Sequence, residues 1–117
     1  MSPVFKKLLL IAKEKSHGCH RHAAAIVYKN KIVSVGWNKR KTHPFQKRYG
    51  RNEKSIFLHA EIDAIIKTIN IYGTSFLKDC DLYVVRYTRS RKAGNSRPCE
   101  GCMKAIEAFD IKNVYHT

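Results

Sequence analysis

Residues 95–109, NSRPCEGCMKAIEAF, place two of the chain's four cysteines three positions apart, directly after Pro98. Cys102, Ala105, Ile106 and Phe109 repeat at i, i+3, i+4 and i+7, so the pair opens an amphipathic helix. A Cys-x-x-Cys in that place has three chemistries open to it. It can be a redox pair, because the positive end of the helix dipole favours thiolate. It can be half of a closed structural zinc site, which needs four protein ligands, usually as two close pairs. It can belong to a catalytic metal centre, which needs one more ligand and an acid or base beside it. Cys19 and Cys80 each stand alone in the sequence, so a zinc ribbon is poorly supported.

The elements around this stretch define the class of fold. LYVVRY (82–87) reads as a strand and KNVYHT (112–117) as a short closing one, with the basic loop TRSRKAGNSR between the first and the cysteines. Ile62, Ile65, Ile66 and Ile69 give a second amphipathic helix that Gly73 can end. AAAIVYKNKIVSVGW (23–37) is two β-branched-rich runs about Lys29-Asn30-Lys31, a hairpin, since Asn tolerates a positive φ. Val4, Leu8 and Ile11, with Pro3 in a first turn, form an opening helix over residues 3–15. The order helix, strand, strand, helix, strand, helix, strand predicts an α/β layered domain. Its hairpin should be antiparallel and its later strand-helix-strand units parallel, with right-handed crossovers. One domain spans residues 1–117.

Composition narrows the partners. A chain of 117 residues with 44% hydrophobic content supports one core. Lys and Arg number 23 against 9 Asp and Glu, a formal charge of +14, which points to polyanions or phosphorylated small molecules. No run approaches the roughly 18 apolar residues of a membrane span, so no membrane partner is expected and a cytoplasmic location is. Without a secretion signal, C-x-x-C favours metal or redox chemistry over a disulfide framework.

The third reading of the cysteines finds its missing parts in residues 57–65, FLHAEIDAI. His59 opens the isoleucine-striped helix and Glu61 lies in the same first turn. If the two helices start at neighbouring strand ends, His59, Cys99 and Cys102 supply three zinc ligands and leave a fourth position for water. Glu61 is then placed to handle protons. Two thiolates and a neutral imidazole leave the zinc site formally uncharged, while the metal acidifies its water for attack on an amidine-type ring carbon.

His59-Ala60-Glu61 followed by Pro98-Cys99-Glu100-Gly101-Cys102 matches the H-x-E and P-C-x-x-C signature of zinc deaminases. The chain resembles the cytidine/deoxycytidylate deaminase superfamily over almost its whole length. Within it the CMP/dCMP-type branch, which includes tRNA adenosine deaminases and APOBEC-like enzymes, is the most similar. The resemblance implies a three-layer α/β/α sandwich, here a minimal version with about four strands, and a Zn2+ cofactor held by His59, Cys99 and Cys102. It implies Glu61 as the proton shuttle. Asn38, at the family's Gly-x-Asn position, would contact the substrate sugar, and the Ala60 backbone N–H the base carbonyl.

The implied activity is hydrolytic deamination of a small pyrimidine nucleotide such as dCMP or CMP, giving ammonia and the uracil product. The alternative is a cytosine or adenine deaminase acting on single-stranded DNA or RNA, with Trp37, Phe45, Tyr49 or Phe57 stacking bases. A basic nucleic-acid-binding module with a purely structural zinc is a third reading, which the free carboxylate of Glu61 argues against. The basic loops at 38–59 and 88–97 would border the zinc pocket, with Arg51 and Arg97 expected at a substrate phosphate. Cys19, His20 and His22 read as a small buried residue and strand-flanking histidines, although the resemblance permits a second zinc at Cys19. Cys80 reads as packing. Relatives usually continue beyond a fourth strand, whereas Thr117 closes this chain, so that strand is expected as an edge and the protein as a homo-oligomer, dimer by default.

Overall fold

Ser2 caps the first helix, its hydroxyl accepting from the Phe5 N–H at 3.3 Å, and Pro3 occupies a position whose missing N–H costs nothing. The structure, a computed structural model, describes residues 2–16, 21–39, 58–88, 93–94, 96 and 98–117. Helix α1 (Pro3–Lys15) is followed by strands β1 (Arg21–Tyr28) and β2 (Lys31–Trp37), helix α2 (Ala60–Tyr72) and a 3-10 turn over Thr74–Asp79. Strand β3 (Asp81–Tyr87), the two-residue β4 (Ala93–Gly94), helix α3 (Glu100–Ala108) and strand β5 (Asn113–His116) complete the order.

The hairpin forms as expected but turns on two residues. Lys29 and Asn30 both take positive φ, 48° and 65°, and Lys31 already belongs to β2. Such a left-handed pair matches the twist of the strands it joins. Gly73, at φ 84°, ends α2 and donates its N–H to the Ile69 carbonyl.

Strand β1 is the centre of the sheet. It pairs antiparallel with β2 along one edge and with β3 along the other. β2 and β3 therefore run the same way with β1 between them, so the β2–α2–β3 crossover joins parallel strands that are not neighbours. β3 and β5 are parallel neighbours, from Asp81 opposite Asn113 to Val84 opposite His116. The remaining length of that edge of β3 carries β4, which pairs Arg86 with Gly94 and Tyr87 with Ala93. Reading 88–97 wholly as loop thus missed a short strand, whose two small residues carry no hydrophobic period.

Residues alternate across β1, and both faces are covered. Ala23, Ala25, Val27 and Val85 meet Leu8 and Ala12 of α1, while Ala24, Ile26, Leu82 and Val84 meet Ile62 and Ile65 of α2 and Ala105 and Ile106 of α3. The result is three layers, helix, sheet, helices. Cys80 is buried, donates to the Phe76 carbonyl at 3.3 Å and has its thiol pushed up to about 11 by burial, as suits a packing residue.

Gly36 sets how close α2 lies to the sheet. A Cβ there would stand 2.4 Å from the Ala60 carbonyl oxygen and 2.5 Å from the Ala64 nitrogen. Only glycine lets the backbone of α2 rest on β2, and it does so at the helix end that carries His59. Ser34 ties the same helix further along, donating to the Ala64 carbonyl at 2.9 Å. Gly36→Ala is therefore expected to cost about 1–3 kcal/mol, the usual range for overpacking, and to weaken metal retention by moving His59. Urea melts with and without zinc, together with metal content after gel filtration, measure both effects. Wild-type stability and full metal in this variant would show that α2 is not seated as described.

Candidate metal centre and its cavity

Two helices begin at the ends of β2 and β3, and each begins with a metal-type ligand. His59 caps α2 with extended backbone, φ −81° and ψ 155°, and Cys99 caps α3 at φ −68° and ψ 168°. Neither side chain caps its own helix. Their carbonyls start the helices instead, accepting from Asp63 N–H at 3.0 Å and Met103 N–H at 2.9 Å. The His59 and Cys99 side chains are thereby turned toward each other. Cys102, on the first turn of α3, is buried beside them.

The spacing is that of a tetrahedral site. His59 Nδ1 lies 3.6 Å from Cys99 Sγ and 3.4 Å from Cys102 Sγ. Zinc bonds of about 2.3 Å to sulfur and about 2.0–2.1 Å to nitrogen, at tetrahedral angles, put such atoms about 3.5 Å apart. The three donors fit zinc in type and distance. Among the described residues, they are the group of His, Cys, Asp or Glu able to hold a metal ion.

Metal-free, the triad is an acid–base cluster. The Cys99 thiol is pushed down to about 3, first by the hydrogen bond from Cys102 and then by the one from His59. Cys102 is raised by that bond to Cys99 and by burial, so it keeps its proton. His59 is raised chiefly by its hydrogen bond to Cys99. Glu61 is 5% exposed, and burial raises its carboxyl pKa against the opposing pull of its own backbone N–H and of His59.

His59, Ala60, Glu61 and Cys99 line one cavity of about 240 Å³ together with His22, Asn38 and Ser96. Asn38 is held from behind, its Oδ1 accepting from the His22 N–H at 2.9 Å and from the Ser16 hydroxyl. Of the residues expected in the site, His59, Ala60, Glu61, Asn38, Cys99 and Cys102 come together. Arg51 and Arg97, and also Cys19 and His20, lie outside the described residues. Phe45, Tyr49 and Phe57 do as well, while Trp37 is described with three lysines over its ring.

Two lining residues were not foreseen. His22 is a residue of β1 and not merely its flank, and strand alternation could have found it. It shares the face of Ala24 and Ile26 and stands opposite Arg86, at the end of the central strand near which α2 and α3 begin. Ser96 had no sequence signal. Its Oγ donates to the Val84 carbonyl at 2.7 Å and its N–H to the Thr117 carbonyl at 2.8 Å, a placement that depends on β3 and the end of β5 together.

Solved structures share this architecture. Guanine deaminase from Bacillus subtilis is 24% identical and superposes with a TM-score of 0.64 over all of this chain, which spans 64% of that one. The dCMP deaminase of cyanophage S-TIM5, in complex with dCMP and dUMP, is 22% identical, with a TM-score of 0.63 over 99% of this chain and 82% of that one. A structure from work on tRNA:A34 deaminases is 20% identical, with a TM-score of 0.58 over 97% of this chain and 73% of that one. These likenesses establish the cytidine-deaminase-like fold. No curated protein matches the chain in sequence. Residues 2–117, which hold the whole His59, Cys99 and Cys102 triad, match the family described as the cytidine and deoxycytidylate deaminase zinc-binding region, and the chain belongs to that family.

Proposed function

We propose that the protein is a zinc-dependent hydrolytic deaminase of a pyrimidine nucleotide such as dCMP or CMP. The observation that carries the reading is the sharing of one small cavity by the metal triad, a buried carboxyl group and an anchored carboxamide. When bound, zinc acidifies the water that adds to the ring carbon bearing the amine. Glu61 takes the proton this water loses and hands it to the ring nitrogen; it then takes the proton of the newly added hydroxyl, as the carbonyl forms, and passes it to the amine, which leaves as ammonia. A carboxyl whose pKa is raised by burial suits that work, since its affinity for a proton is greater than that of an exposed carboxylate.

Ala60, first residue of α2, has an N–H with no acceptor one turn earlier in its helix, and it is suited to bind the base carbonyl. Asn38 Oδ1 accepts from the Ser16 hydroxyl and the His22 N–H, which fixes the carboxamide at the side of the cavity proposed for the substrate sugar. Arg51 and Arg97 are the proposed phosphate contacts. The reading places the protein in the cytoplasm, and among the described residues no helix is long and apolar enough to cross a membrane. It also includes self-association, for which Ile71 and Tyr72, 67% and 53% exposed, offer apolar surface.

A second reading, deamination of a base in single-stranded DNA or RNA, is favoured by the +14 charge and by the lysines grouped at Trp37. A non-catalytic zinc module is disfavoured by Glu61, because burying a carboxyl group costs desolvation that a structural site gains nothing from.

Metal analysis tests the ligands. Cys99→Ser should lose zinc and some stability, and full zinc in that variant would remove the assignment. Zinc uptake by the wild type near pH 7 should release more than one proton, because Cys102 and a raised His59 must both give theirs up. Apparent affinity should therefore climb with pH, as titration calorimetry in buffers of different ionisation enthalpy would show.

Glu61→Ala should keep zinc and fold but lose about 100-fold to 10,000-fold in kcat for the substrate found by ammonia release across nucleosides, nucleotides and oligonucleotides. Near wild-type turnover would exclude Glu61 as the shuttle.

Substrate size is decided by phosphate count. For a mononucleotide, Arg51→Glu or Arg97→Glu should raise KM sharply while loop charges away from the bound phosphate matter little. For a strand, each lost cation should weaken binding modestly, and log K should fall with log salt at about 0.7 per phosphate contacted. Turnover of an oligonucleotide far above that of dCMP or CMP, with a slope reporting several phosphates, would replace the first reading by the second.

A further inference from the structure

Three lysines from three elements converge on one indole ring beside the cavity. Trp37 ends β2, and over its ring stand Lys67 Nζ at 4.2 Å from the centroid, Lys39 Nζ at 4.5 Å and Lys15 Nζ at 5.2 Å. Lys15 closes α1, Lys39 follows Asn38, and Lys67 lies one turn along α2 from Asp63. Among the described residues, one carboxylate is paired with two of these three cations. Asp63 Oδ2 meets Lys39 at 2.9 Å and Lys67 at 3.2 Å, and also accepts from the Trp37 backbone N–H at 3.2 Å. Lys67 donates further to the Val35 carbonyl at 2.8 Å.

The cluster therefore carries more positive charge than it neutralises. Attraction to the ring face holds ammonium groups near it but cancels none of their charge. Lys67 is also partly desolvated, its ammonium pKa lowered by burial first, against the pull of Asp63, with Lys39 adding a smaller push in the same direction as burial. The position is also informative. Asn38, between Trp37 and Lys39 in sequence, lines the metal cavity, so the lysines flank the side of the cavity proposed for a sugar.

We propose that Lys15, Lys39 and Lys67 form a binding site for a phosphate group, set against Trp37 at the end of β2. A phosphate offers up to two negative charges and several acceptor oxygens, which matches a surplus of ammonium donors around one rigid ring. The phosphate can be the monoester of a nucleotide or a diester of a strand running past the cavity. The site does not rest on the deaminase reading and would stand on a protein without turnover.

Trp37 is the only tryptophan in the chain, so its selectively excited fluorescence reports on this site directly. Zinc-loaded protein titrated with inorganic phosphate at constant ionic strength should give a saturable change in Trp37 emission that chloride does not give. Lys15→Gln, an exposed change at the end of α1, should weaken phosphate by about fivefold, the weight of one modest charge pair. Lys15→Gln with Lys39→Gln should abolish the response while circular dichroism stays native. Titration with dCMP and deoxycytidine, and then with a short single-stranded oligonucleotide, separates the sources. A preference for nucleotide over nucleoside that Lys15→Gln erases assigns the monoester. Tighter binding of the oligonucleotide than of dCMP, erased by the same variant, assigns the diester. Absence of a phosphate-specific change, or an unchanged response in folded variants, would overturn the site and leave the lysines as packing for Trp37. Failure of every deamination assay would leave this result untouched.

Discussion

An imidazole nitrogen held 3.6 and 3.4 Å from two cysteine sulfurs at the N-termini of two helices is the constraint on which this structure turns. Such donors in partly buried surroundings are costly as separate charges, and they are brought to terms by sharing protons or by a cation. The helix ends help, since first-turn N–H groups and the helix dipole favour thiolate. The joint also connects α2 and α3, so the group that would hold the metal also links two elements of one layer.

Everything behind the joint serves closeness. Alanines at 23, 24 and 25 let helices approach the central strand from both faces, and Gly36 lets the backbone of α2 rest on β2. Bulkier residues there would fill the same core, but they would lift the helix that carries His59 and Glu61. Precision at the site is thus obtained from the smallest side chains in the sheet, at some distance from the chemistry.

The first turns of α2 show how environment divides like residues. Glu61 and Asp63 are both buried and two positions apart. Asp63 points to β2, where the Trp37 N–H, Lys39 and Lys67 surround it. Glu61 lines the cavity, where burial raises its pKa. One carboxylate is tied into the frame, and the other is the group to which the proposed function gives the proton transfers. The contrast extends to the cations, because the lysines held by Asp63 lie beside the cavity and add to the field any anionic ligand would meet on approach.

Much of this was legible in the residues alone. Isoleucine spacing drew α2, Lys29-Asn30-Lys31 drew the hairpin, and His-x-Glu with Pro-Cys-x-x-Cys drew the metal triad, because each depends on neighbours in sequence. Where β1 sits, with β2 and β3 on either side of it, was not legible, since strand order is set by which apolar faces can be covered together. The same is true of Ser96, held between β3 and the end of β5, and of the three lysines that α1, α2 and the end of β2 bring to Trp37. The sequence by itself determined which side chains could bind a metal and move a proton, because that is a property of residue type and local spacing. Only the tertiary structure decided that His59 would meet cysteines 40 and 43 residues away, because that distance is closed by sheet pairing and by a glycine that lets a helix sit low.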